Sequence, residues 1–279
     1  MSSPTIVMNR RDGAGSAASG APAAHDRAVV GPEPAAAVLD EARRVKAALV
    51  TEGGVVYGPG ADAAVSRLDR VSAGLLGLDP MRRLTTRWDA LAFWINAYNA
   101  LVIHGALRFR VSRRMTEIPG FFRRAAYDIG GRVYNLDVIE HGILRGNRGH
   151  PLRVVVPQLM PWDRRRGLVL RPFDARIHFA LNCGAVSCPP LRHYTADHID
   201  DELELAARSF VAGGGVAVDP EGGGVRLSRI FLWYARDFGW TKRRQLRSVI
   251  GYLDGPERAA VEAAAERGIR YAAYDWSFA

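Results

Sequence analysis

The spacing of apolar positions divides the chain into a helical first part and a mixed second part. From Pro34, Val38, Leu39, Ala42, Val45 and Leu49 recur at three and four residues, the spacing of one helix face, and Gly53-Gly54 stops the run. A second helix is predicted from Asp62 to Leu76, ended by Gly77 and Pro80. The third, Thr86 to Leu107, contains WDALAFWINAYNALVIHGAL and is apolar nearly all round, which suits the centre of a domain. After Phe121 the period shortens. AYDIGGRVYNL, with Gly-Gly between two alternating segments, predicts a hairpin. LDVIEHGILR predicts a short helix over 136–145, and a proline-bearing loop from Pro151 to Pro172 leads to RIHFAL, predicted as a buried strand. Thr195 is expected to cap a helix with core face Ile199, Leu203, Ala206 and Phe210. A hairpin in GGGVAVDPEGGGVRLS, helices in FLWYARDFG, RRQLRSVIGYL and PERAAVEAAAERG, and a strand in IRYAAYDW complete the chain. Residues 1–32, rich in Ala, Gly, Ser and Pro, read as a disordered and dispensable arm, and residues 33–279 as a single α+β domain.

Composition works mainly by exclusion. The 279 residues are 48% apolar and 24% charged, an ordinary globular balance, and two cysteines do not make a disulfide framework. No run of uninterrupted apolar residues is long enough to predict a membrane span. The opening MSSPTIVMNRRDGAGSAASG lacks the apolar core of a secretory signal, so the expected location is the cytoplasm, with both thiols reduced. The net charge of +9 comes from 38 basic residues, nearly all arginine, against 29 acidic ones. They are scattered in short clusters such as RRMTEIPGFFRR, DRRRG and WTKRRQLR, with no nucleic-acid-binding motif, so solvated surface is the expectation and a nucleic-acid partner is not.

Polar residues stand at three places where apolar ones are expected. Asn96 and Asn99 share one face of the central helix, either pinning a neighbouring loop or offering amides to a reacting group. Glu140 falls on the inward stripe of LDVIEHGILR with His141 on its flank, which suits a buried ion pair with an arginine or a carboxylate orienting an imidazole. In HFALNCGAVSCPPLR, Cys183 follows an apolar segment and precedes Gly184, whose backbone allows a close approach; Cys188 precedes two prolines. A nucleophilic thiol there needs a base. His178 is one candidate, although strand alternation would put it on the face opposite Cys183, and His141 is the other. His104, His150, His193 and His198 read as structural.

FWINAYNALVIHGAL, LDVIEHGILR, HFALNCGAVSCPPLRHYT and LSRIFLWYARDFG, in that order over about residues 86–239, together resemble the family filed as domain of unknown function 547. The resemblance implies a papain- or transglutaminase-like α+β fold, with a central buried helix packed on a small antiparallel sheet and extra N-terminal helices. In it a cysteine and a histidine meet across a cleft. AVSCPP after Cys183 makes a poor helix start, a departure from that pattern.

The expected function is a cysteine-dependent hydrolase or acyl/amide transferase. Cys183 attacks an amide, ester or thioester, His178 or His141 carries the proton, and Glu140 orients the imidazole. Asn96, Asn99, Asn182, Gly184, Ser187 or backbone N–H groups serve the oxyanion. Its substrate would be a cytosolic small molecule, a peptide or a carrier-bound acyl group. No dinucleotide or phosphate-loop glycine pattern and no G-x-S-x-G elbow is present, so no cofactor, no metal and no serine nucleophile are expected. Two other readings stand beside it: a zinc site using His178, Cys183 and Cys188, and a non-catalytic binding module on the same fold.

Overall fold

The computed structural model describes residues 4–10, 33–51, 54–151 and 156–278. Strand β1 (Ile6–Val7) precedes α1 (Pro34–Leu49), the pair β2 (Val50–Thr51) and β3 (Gly54–Val55), α2 (Pro59–Ser72) and the single turn α3 (Pro80–Arg83). The long α4 (Arg87–Arg108) follows, then α5 (Phe121–Arg124) and the hairpin β4 (Ala125–Ile129) and β5 (Arg132–Asn135). A π-helical segment, Val138–Leu144, and a 3-10 helix, Ala175–Phe179, lead to α6 (Ile199–Phe210). Strands β6 (Val216–Val218) and β7 (Val225–Leu227), helices α7 (Arg229–Trp233), α8 (Ala235–Phe238), α9 (Lys242–Val249) and α10 (Gly255–Ala265), and strand β8 (Ile269–Tyr271) complete an α+β architecture.

Helix α4 is the axis. Thr86 and Asp89 form a reciprocal capping box at its start, and every residue from Ala90 to Leu107 is buried. The helix is long and apolar enough to cross a membrane by length and composition, yet its apolar window is wholly buried inside the protein, the condition of a core helix. Gly105 lets it lie against the sheet, because a Cβ there would come within 2.9 Å of the Ala125 Cβ. Helices α1 and α2 pack on α4 and on each other. Two apolar clusters result: one surrounds α4, and the other joins α6 to α10 and the β6-β7-β8 sheet through Phe179, Phe231 and Phe238. The His104 imidazole, expected to be structural, is buried between the Tyr127 hydroxyl at 3.1 Å and Asp69 at 3.0 Å.

Two expectations are corrected. RIHFAL is not a strand: the Asp174 carboxylate caps the Arg176 N–H at 2.9 Å, and the Ile177 carbonyl accepts from Ala180 N and Leu181 N, so the backbone closes on itself. Strand alternation therefore says nothing about where His178 points. The expected arm is also not wholly free. Its apolar triplet Ile6-Val7-Met8 docks, with Ile6 in parallel register to Ala125 and Met8 buried. The Asn9 amide donates to the Ser72 and Asp128 carbonyls and accepts from the Asp128 N–H, at 3.1, 2.8 and 2.8 Å, while Arg10 pairs with Asp128 at 2.6 Å. Residues 1–3 and 11–32 of the arm lie outside the described residues. Replacing Asn9 by alanine leaves those backbone groups unpaired, and the expected loss of stability in denaturant unfolding is about 1–3 kcal/mol.

Candidate functional site

The site forms where the loop after the 3-10 helix, the π-helical segment, α7–α8 and the C-terminal residues meet. The α4 asparagines hold the loop. Asn96 donates to the Tyr194 carbonyl at 2.7 Å and accepts from its N–H at 3.1 Å; Asn99 donates to the Ala180 carbonyl at 3.0 Å and accepts from Asn182 N at 2.8 Å. Both ends of each amide are engaged by backbone, so pinning a loop is the role these bonds give them. Asn182 continues the scaffold, donating to Pro189 O and accepting from Gly184 N, both at 2.7 Å. Gly184 has φ +85°, and a Cβ there would sit 3.0 Å from the Met115 sulfur, so the turn requires glycine. The Ser187 hydroxyl accepts from Asp275 N at 2.8 Å. Of the donors expected to serve an oxyanion here, the Gly184 N–H is committed to Asn182, while Asn182 and Ser187 each carry a structural bond.

The two cysteines are not separate thiols. Cys183 and Cys188 are joined as a disulfide with Cα atoms 6.2 Å apart, which the tight Asn182–Pro189 loop permits. With each sulfur bonded to the other, the zinc arrangement of His178, Cys183 and Cys188 is not assembled. Among the described residues no group of three or more His, Cys, Asp or Glu side chains has metal-holding geometry.

The acid–base groups are arranged differently from the expectation. In the π-helical turn, Arg145 N donates to Glu140 O at 2.8 Å, five residues back, and Val138 to Leu144 are all buried, His141 included. Among the described residues neither an arginine nor an imidazole is the hydrogen-bonded partner of Glu140. Tyr98 donates to it at 3.0 Å, and so does the Tyr234 hydroxyl. Burial works to raise the Glu140 carboxyl, but His141, the Tyr234 hydrogen bond, His178 and Arg145 outweigh it and hold the group below its ordinary value. The His141 Nδ1 stands 3.5 Å from Glu140 but 3.1 Å from Arg145 Nη1. Because a guanidinium only donates, Nδ1 is the acceptor there and carries no proton for Glu140 to receive. The expected orientation of His141 by Glu140 is therefore absent.

The carboxylate that orients an imidazole is Asp237, which sequence reasoning missed. Its side chain is fully enclosed, and it accepts from His178 Nε2 at 2.9 Å, Arg145 Nη2 at 2.7 Å and Arg148 Nη1 at 2.9 Å. Burial alone would raise its pKa, but His178 and Arg145 hold it well below the usual carboxylate range. An ionised Asp237 fixes the proton of His178 on Nε2, leaving Nδ1 unprotonated, and Nδ1 makes no hydrogen bond among the described residues. Burial lowers the His178 pKa, offset only in part by Asp237, and the Tyr234 ring 3.9 Å away holds the imidazole plane. The result is a neutral imidazole in the tautomer of a base.

His178, Cys183, Cys188, Glu140 and His141 all line one cavity of about 240 Å³, with Trp233, Tyr274 and Trp276 among its aromatic walls. Residues 81–211 match the family described as protein of unknown function, DUF547. No curated protein and no solved structure matches the chain. The DUF547 match takes in α4, the π-helical segment and the cysteine loop, but ends before Tyr234, Asp237 and Tyr274. The missed groups had a weak signal in sequence, since Asp237 stands among aromatic residues in FLWYARDFG and Arg145 ends LDVIEHGILR.

Burial pushes the His141 imidazole down to about 4, against the pull of Glu140 and with Arg145, His150 and His178 reinforcing the fall. Unfolding returns it to about 6.5, so between these values the unfolded chain binds more protons and stability falls as pH drops from about 6.5 to about 4. His178 acts in the same direction. The expected outcome is a melting temperature that declines over this interval. In His141→Gln the decline is shallower, by up to about 3 kcal/mol once the imidazole is protonated.

Proposed function

We propose that this chain is a cysteine-dependent hydrolase or acyl/amide transferase, with Cys183 as the nucleophile once the Cys183–Cys188 bond is reduced and His178 as its base. One observation carries the reading: the cysteine pair and an imidazole oriented by a buried carboxylate open into the same cavity. A dithiol reductant supplies two electrons and frees both thiols. His178 Nδ1 then takes the Cys183 proton, Asp237 stabilises the resulting imidazolium, and the thiolate forms a bond to the carbonyl carbon of an amide, ester or thioester. Collapse of the oxyanion expels the leaving group, which receives the proton from His178. Water or an acceptor amine, alcohol or thiol, deprotonated by the same nitrogen, releases the acyl group from sulfur. His141 is the poorer base, because Arg145 occupies its Nδ1 and burial holds its pKa near 4.

The substrates in this reading are cytosolic small molecules, peptides or carrier-bound acyl groups, and the cytoplasm is where cellular thiols would keep Cys183 reduced. A papain- or transglutaminase-like ancestry belongs to the same proposal; α4 packed against the small β4–β5 sheet, with thiol and imidazole at one cavity, supports it. A second reading, a non-catalytic binding module, is favoured by the sulfurs being bonded to each other.

Alkylation separates the two. The reduced protein is treated with iodoacetamide at about pH 6.5, well below the ordinary thiol pKa, and labelled peptides are mapped by mass. Cys183 is expected to react first, Cys188→Ser to react without any reductant, and His178→Gln to react at least several-fold more slowly while keeping its melting temperature. Equal, slow labelling of both thiols in the reduced protein would leave the binding-module reading in possession.

A further inference from the structure

A thiolate in this cavity needs a hydrogen-bond donor, and the backbone N–H groups of Cys183, Gly184 and Cys188 are already engaged. Cys183 N donates to the Cys188 sulfur at 2.9 Å, Gly184 N to Asn182 at 2.7 Å, and Cys188 N to Ala185 O at 2.9 Å; Pro189 and Pro190 have no N–H. One N–H of the Asn182 amide goes to Pro189 O. The proton of neutral His178 is held on the nitrogen that faces Asp237, so its Nδ1 offers sulfur an acceptor and no donor before proton transfer.

The Tyr274 hydroxyl fills this place. It lies 3.1 Å from Cys183 Sγ and 3.0 Å from Cys188 Sγ. Its ring packs on Trp233 and Trp276, with centroids 4.6 and 4.7 Å away. The residues after it are bonded to the cysteine loop itself: Asp275 N donates to Ser187 Oγ at 2.8 Å and Val186 N to Ser277 O at 2.8 Å. The hydroxyl is thereby held over the sulfurs by the loop it serves. We propose that Tyr274 is a catalytic residue of this site, whose hydroxyl donates to the Cys183 thiolate and holds that charge after the base has taken the proton. The assignment rests on the thiol-enzyme reading. Burial and the nearby Glu140 push the Tyr274 phenol above its ordinary range, so it keeps its proton and acts as a donor throughout, with no bond to it made or broken.

The donor has a double effect on rate. Each unit by which it lowers the thiol pKa raises the thiolate fraction tenfold at acid pH, while the intrinsic nucleophilicity of that thiolate falls roughly threefold. Tyr274→Phe keeps the ring and removes only the hydroxyl. In the reduced protein the Cys183 alkylation profile is expected to move up by about one pH unit. The variant then reacts about threefold more slowly at pH 6.5 but about threefold faster on the alkaline plateau, so the two profiles cross. Loss of packing alone does not produce a crossing. Replacing Tyr274 by 3-fluorotyrosine, a stronger donor of almost the same shape, is expected to move the profile down, and this variant decides the matter if Tyr274→Phe unfolds. A wild-type Cys183 titrating at the ordinary thiol value would overturn the thiol-enzyme reading and this assignment with it. A depressed wild-type pKa that neither variant moves would overturn the role of Tyr274 alone.

Discussion

Asn96 and Asn99 each close a two-point bridge from a buried helix to the backbone of the loop that follows the 3-10 helix. Peptide groups at Ala180, Asn182 and Tyr194 would otherwise lie against apolar surface with no partner, a cost of about 1–3 kcal/mol apiece. By answering them, α4 makes an irregular, proline-containing segment behave as part of the core. The geometry of His178 on one side of this anchor and of Cys183 on the other follows from it. An amide is the side chain suited to the task, because it donates and accepts at once and carries no charge into the interior.

Around this anchor the charges are placed in pairs of opposite effect. Asp237 and Arg145 are both enclosed and bonded to each other, and Arg145 also reaches His141 Nδ1 and the Gly149 carbonyl. One guanidinium therefore fixes the acceptor state of His141 and, through Asp237, the tautomer of His178. Glu140 accepts instead from Tyr98 and Tyr234. The two carboxylates thus have different tasks: Asp237 holds an imidazole, and Glu140 gathers phenolic hydroxyls at the cavity wall.

The C-terminal residues are the third constraint. They bridge to the cysteine loop and to Arg113 and Arg114, and they bring Tyr274 and Trp276 into the wall of the cavity. The half-buried sulfurs meet a hydroxyl and share their cavity with aromatic rings. Partial enclosure raises the value of each donor beside them.

The places where chemistry is concentrated were legible in the chain alone, because an asparagine pair or a glutamate on an apolar periodicity is conspicuous whatever the fold. The helices at 34–49 and 87–108, the hairpin at 125–135 and the burial of Asn96, Asn99 and Glu140 follow from local spacing. What each polar group binds did not follow. Asp237 meets His178 across 59 residues and Tyr274 meets Cys183 across 91, and spacing carries no information about contacts so distant. RIHFAL has the composition of a strand, yet it turns into a 3-10 helix because Asp174 caps it. Local pattern determined which residues must be buried; only the tertiary structure decided their partners, because a buried polar group takes whichever donor or acceptor the folded chain brings within reach.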